Sequence, residues 1–165
     1  MAHDFVEKAD ALLADIRRFL VSPKRWRTSR VKTPINWTFL AFTEANRLLV
    51  PEEAGVYAFV VRHQNDHFPS HGFIMYIGIT GAKGNGRTLR NRYGDYLREQ
   101  KKHKRPKIHY MLNKYPNDLQ FAYAAIADPA FDLEALELDL NDAIVPPVVV
   151  KDFTAEIRQL VKAIA

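Results

Sequence analysis

Hydrophobic residues recur at helical spacing near the start of the chain: Phe5, Ala9, Leu12, Leu13, Ile16, Phe19 and Leu20. That period predicts an amphipathic helix from about Asp4 to Val21, ended by Ser22-Pro23. Lys24 to Thr33 is basic and polar and reads as a loop. Asn36 to Leu49 carries Trp37, Phe39, Leu40 and Phe42 without a clear period, with a short helix plausible from Thr43. Gly55-Val56-Tyr57-Ala58-Phe59-Val60-Val61 is rich in β-branched and aromatic residues and predicts a strand, as does Phe73 to Ile79. The polar stretch His63 to His71, with Pro69, reads as the loop that lets these two strands pair antiparallel.

Beyond them, Thr80 to Arg87 is a glycine-rich loop with Gly81, Gly84 and Gly86. Thr88 is a plausible N-cap for a helix reaching about Gln100. Further helices are predicted over Pro106 to Lys114, Phe131 to Val145 and Phe153 to Ala165, and a third strand over Leu119 to Ile126. The order of elements predicts an α/β (α+β) sandwich: a small, three-stranded, mainly antiparallel sheet flanked by helices, with an extra N-terminal helix. Residues 1–50 form a helical extension packed on the core, 51–150 the main domain and 151–165 a closing helix.

The 165 residues are 47% hydrophobic, enough for one ordinary core. No apolar run approaches a membrane span, and the early Asp4 without a basic flank argues against a signal peptide. Cysteine is absent, which excludes disulfides and thiolate metal sites; the expected compartment is the cytoplasm. The net charge of +5 is unevenly spread. Between Lys83 and Lys107 lie ten basic residues opposed only by Asp95 and Glu99, so the rest of the chain is slightly acidic. Such a stretch suits a polyanion, or is simply a solvated basic surface.

Charged residues also stand beside two apolar helix faces. Leu133, Leu136, Leu140 and Ile144 make one stripe, and Glu137 falls next to it, half buried. A carboxylate there needs a cation or hydrogen-bond donors; a divalent metal, water or an arginine each meets that need. Leu89, Tyr93, Tyr96 and Leu97 make the second face, with Arg92 at its border and one turn from Tyr96. An inward arginine suits phosphate oxygens or a structural ion pair. Arg90 and Arg98 point elsewhere and, with Lys101, Lys102, Lys104 and Arg105, are candidate nucleic-acid contacts. Tyr57 and Tyr76 lie mid-strand, where most tyrosines are amphipathic core residues. Gly55 and Gly78 inside strands suggest close backbone approach.

Taken together, these residues resemble the GIY-YIG nuclease superfamily. Gly55-Val56-Tyr57 and Tyr76-Ile77-Gly78 resemble its two tripeptides, with Val for the first Ile. Leu89, Arg92 and Tyr96 match its Leu-x-x-Arg-x-x-x-His/Tyr helix, and Glu137, Leu140 and Pro146 match its later Glu-x-x-Leu…Pro. The resemblance covers about Gly55 to Pro147. It implies a divalent-metal-dependent endonuclease acting on DNA phosphodiester bonds, RNA not excluded. Glu137 would be the sole protein ligand of one Mg²⁺ or Mn²⁺. Arg92 would hold the scissile phosphate. Tyr57 would deprotonate or position the attacking water, with a pKa depressed by metal and arginine. Tyr76 would bond to phosphate or nucleophile, and Tyr96 would fill the family's His/Tyr position.

Two departures stand out. Val149 occupies the place where many members carry Asn, and the Thr80–Arg87 loop is longer than in compact members, leaving Lys83 as a candidate for a family lysine. Alternatives are a non-cleaving nucleic-acid-binding module of the same fold, or a structural protein with an unrelated basic patch. Arg25, Trp26, Arg27 and Arg30 offer an additional DNA contact or a polar connector. The histidines lack metal-ligand spacing. With little chain outside the motifs, specificity is expected from loops, a homodimer or a partner protein.

Overall fold

The computed structural model describes residues 2–63, 67–149 and 151–164. Helices α1 (Ala2–Asp15) and α2 (Pro23–Thr28) lead into strand β1 (Thr38–Ala41) and a 3-10 turn over Glu44–Leu49. Strands β2 (Gly55–Val61) and β3 (Phe73–Thr80) form a hairpin. Helices α3 (Leu89–Lys102) and α4 (Pro106–Lys114) follow, then β4 (Leu119–Ala125), α5 (Leu133–Ile144) and α6 (Ala155–Ile164). The fold is α+β: an antiparallel sheet of order β1-β4-β2-β3 with helices on both faces.

The sheet thus has four strands where three were expected. The added one is Thr38-Phe39-Leu40-Ala41, which pairs with Gln120 to Tyr123 of β4. Residues 1–50 therefore contribute to the sheet rather than forming a purely helical extension. Helix α1 stops at Asp15, short of the expected Val21, and lies with Phe5, Leu12 and Leu13 exposed. Its end is tethered by ion pairing of Asp15 with Lys114. The expected loop after Pro23 contains the short helix α2, which Arg25 docks onto α5 by donating to the Asp142 carbonyl.

Alternation along the strands sorts side chains into two cores. Tyr57, Phe59 and Phe121 point to one face, against Leu89, Tyr93, Tyr96 and Leu97 of α3 and Met111 and Leu112 of α4. Val56, Ala58, Ile77, Ala122 and Ala124 point to the other, against Leu133 and Leu136 of α5, with Leu140 and Ile144 at the margin. A register shift between Phe59 and Val60 lets Met75 bulge from β3. The chain after α5 touches the outer edge of β3, where the Val148 amide donates to the Met75 carbonyl at 3.1 Å. Val149, Phe153 and Ile157 form a small third core there, with Tyr76 packed against it. Among the described residues, no helix is long and apolar enough to cross a membrane.

Candidate active site

Two glycines allow the strands to close around Tyr57. A Cβ on Gly55 would stand 2.2 Å from the Ala124 carbonyl oxygen of the neighbouring strand. A Cβ on Gly78 would stand 2.5 Å from the Tyr57 hydroxyl oxygen. Gly78 faces Tyr57 directly across the β2–β3 pair. The missing side chain leaves a notch near the outer edge of the sheet, and the Tyr57 hydroxyl fills it.

Helix α3 delivers the partners of that hydroxyl. Its start is fixed by a capping box: Thr88 Oγ1 accepts from the Asn91 amide, and the Asn91 side chain accepts from the Thr88 amide. From there Arg92 and Tyr96, one turn apart, reach the same point. Arg92 Nε donates to Tyr57 Oη at 3.0 Å, and the Tyr57 and Tyr96 hydroxyls lie 2.9 Å apart. The Arg92 guanidinium lies over the Tyr96 ring at 5.6 Å. Tyr76 completes the group, its ring 6.3 Å from that of Tyr57 and 6.2 Å from that of Tyr96. Tyr57 and Tyr96 are fully buried, whereas the Arg92 side chain keeps 31% of its surface exposed. The guanidinium is fixed at Nε, its Nη1 stands 3.8 Å from Asp95, and the part left exposed can receive an anion from solvent.

Glu137 approaches from the other layer. It is half buried on α5, flanking the apolar stripe as its spacing predicts. Burial raises its pKa from the ordinary 4.5 to about 7. Asp152 pushes in the same direction, while the Ile79 backbone amide and the Arg92 charge oppose it. Glu137 is thus electrostatically coupled to Arg92 past the edge of β3, although the two helices lie on opposite faces of the sheet. The structure brings Tyr57, Tyr76, Arg92 and Tyr96 together, and Glu137 lies near enough to feel the Arg92 charge.

The tyrosines do not show the depressed pKa expected of a base. Burial pushes Tyr57 well above the ordinary tyrosine value, Tyr76 adds to the shift, and Arg92 offsets it only in part. Tyr76 and Tyr96 are raised as well, again chiefly by burial. Tyr57 is therefore a protonated hydroxyl at neutral pH. Fully buried, it holds Arg92 Nε in place, and it needs both access and additional positive charge before it can accept a proton.

Several expected nucleic-acid contacts are engaged elsewhere. The Arg90 guanidinium donates to the Val50 and Leu48 carbonyls and pairs with Glu52 at 2.7 Å. Arg98 pairs with Asp95, which Arg87 also binds. Lys83 pairs with Glu134 at 2.7 Å on the surface. Lys101, Lys102 and Lys104 remain exposed, and Arg105 sits over the Tyr96 ring with its Nε 3.5 Å from Glu99. Arg25, expected as an extra contact, is occupied by its hydrogen bonds to α5.

Two residues near Glu137 escaped the sequence reading. Asp152 acts on both Glu137 and Tyr76 from the segment beyond α5. It lies outside any helical or strand period, so no pattern marks it. Asn141 is fully buried, and neither polar atom of its amide has a hydrogen-bond partner. It stands one helical turn after Glu137, on the same flank of α5. That spacing was a legible signal. Val149, in contrast, is packed with Phe153 and Ile157 and offers no polar group.

Among the described residues, no three His, Asp or Glu side chains converge as a closed metal cage. Glu137 offers one partly desolvated carboxylate, Asp152 acts on it from the following segment, and the Asn141 amide oxygen one turn later has no partner; these are oxygen donors of the kind Mg²⁺ or Mn²⁺ takes. No family model matches the chain, and no curated protein or solved structure matches it.

Proposed function

We propose that the chain is a divalent-metal-dependent endonuclease of the GIY-YIG type that hydrolyses DNA phosphodiester bonds. The observation that carries this reading is the Arg92–Tyr57–Tyr96 contact, with Nε–Oη at 3.0 Å and Oη–Oη at 2.9 Å, coupled to Glu137. Residues far apart in sequence and belonging to separate motifs meet there. A hydrophobic core has no need of a guanidinium at that point.

In this reading Arg92 grips the scissile phosphate through the exposed part of its guanidinium, which the phosphate shares with Asp95, while Tyr57 fixes its orientation. Negative charge developing on the phosphate is met by that guanidinium. The Tyr76 hydroxyl orients water and phosphate oxygens. Glu137 holds Mg²⁺ or Mn²⁺, with Asp152 near enough to add to the negative field. The bound ion supplies Lewis acidity toward the phosphate and draws down the pKa of neighbouring groups. Burial around the tyrosines strengthens each of these interactions relative to water.

The test is nicking of supercoiled plasmid with Mg²⁺ or Mn²⁺. Cleavage is expected with either ion and none with chelator. Glu137→Ala and Arg92→Ala are each expected to lower the rate at least about 100-fold while retaining the far-ultraviolet spectrum. A second reading, a binding module that does not cut, is favoured by the raised Tyr57 pKa and the apolar Val149. DNA binding without cleavage under any divalent ion supports it. Cleavage that persists in Glu137→Ala overturns the proposed site.

A further inference from the structure

A groove of about 370 Å³ opens from Tyr76 and runs between the start of α4 and the chain that follows α5. Lys104, Arg105 and Lys107 line one wall, and Lys151 and Asp152 the other. We propose that this groove seats a phosphate of the nucleic-acid strand adjacent to the one held by Arg92, so that the strand passes from the tyrosine cluster across the beginning of α4. The proposal rests on the nuclease reading above and deepens it by giving the substrate a direction.

Five observations carry it. The groove is continuous with the cluster, because Tyr76 belongs to both. Its cations come from separate stretches of chain, the α3–α4 turn with α4 and the segment after α5, so folding and not sequence adjacency gathers them. Arg105 is held in place before any ligand arrives: its backbone amide donates to Glu99 Oε1 at 2.5 Å, and its guanidinium covers the Tyr96 ring at 5.1 Å. Arg92 lies over that same ring, so Tyr96 links the two guanidinium groups. Finally, α4 begins with Pro106 after an Arg105 that makes no side-chain cap. The first-turn amides of Lys107 and Ile108 are left without intrahelical partners at the mouth of the groove. The floor is apolar where Ile108 and Val148 meet, which suits a sugar or a base face.

The experiment measures binding of a short labelled oligodeoxynucleotide to the full chain in chelator, across a series of salt concentrations. The double variant Lys107→Gln/Lys151→Gln is expected to bind about 10-fold more weakly, with a salt slope lower by about one to two. Both lysines are exposed, so the thermal midpoint is expected to stay put. Lys8→Gln on α1, whose partner is Asp4 one turn away, serves as the control and is expected to match the parent. Parent-like affinity and slope in the double variant overturn the groove while leaving the cleavage reading intact. Inorganic pyrophosphate competing as well as the oligonucleotide overturns it in favour of a free phosphate compound. A parent protein with neither binding nor plasmid cleavage overturns the nuclease reading itself.

Discussion

The Glu137 carboxyl gives up water on folding and meets a second carboxyl group, Asp152, before it meets any full positive charge other than Arg92. Its native pKa of about 7, against 4.5 ordinarily, means that the folded chain binds this proton more tightly than the unfolded one. The resulting stabilisation is fully present below about pH 4.5 and is lost as pH rises through about 7. At pH 8 in chelator, Glu137→Gln is therefore expected to unfold at a higher temperature than the parent. A gain of roughly 2 kcal/mol follows once solvent screening of a half-buried group is allowed for. At pH 4 the two should melt together. Equal midpoints at pH 8 would show that the carboxyl is not desolvated. The half burial of Glu137 was legible in the sequence because it depends only on helical spacing against Leu133 and Leu140. The capture of Arg90 was not, because its acceptors are main-chain carbonyls at Leu48 and Val50, brought to it by the path of a distant segment.

Among the elements, β3 makes the most exacting demand. Its Gly78 must leave space for the Tyr57 hydroxyl, and a methyl group there would stand 2.5 Å from the oxygen. Gly78→Ala is expected to cost about 1–3 kcal/mol by overpacking and to push Tyr57 off Arg92. Plasmid nicking should then fall more steeply than stability does. Nicking at the parent rate in a folded Gly78→Ala protein would detach the hydroxyl from the reaction. Strands β2, β3 and β4 and helices α3, α4 and α5 could be read from the chain, since alternation, Thr88 and the Pro146-Pro147 stop are local signals. Strand β1 could not. It has four residues, its first two positions are exposed, and its pairing partner lies some eighty residues away, so no local period distinguishes it from loop.

The whole molecule separates a sheet sandwich, which holds the tyrosine–arginine cluster, from an N-terminal helix that adds little to its cores. Apolar residues of α1 such as Phe5 and Leu12 remain more than 70% exposed, and none of the buried clusters includes α1. Removing residues 2–13 is accordingly expected to change unfolding free energy by less than about 1 kcal/mol, measured by denaturant titration. A loss of several kcal/mol would mean that α1 packs where the structure shows it open. This exposed stripe escaped the sequence reading for a general reason: an amphipathic pattern says that a helix has an apolar side, not what covers it.

The hydrogen bond from Val148 to the Met75 carbonyl has a consequence of another kind. An outermost strand with unsatisfied main-chain groups invites pairing with strangers, the first step toward amyloid-like stacking. Val148 takes up that invitation at one point of β3, the bulged Met75. At the opposite margin, β1 offers only four residues to a would-be recruit. A chain whose central strand is as apolar as Val56 to Val61 thereby leaves less open margin for recruitment at either side of its sheet.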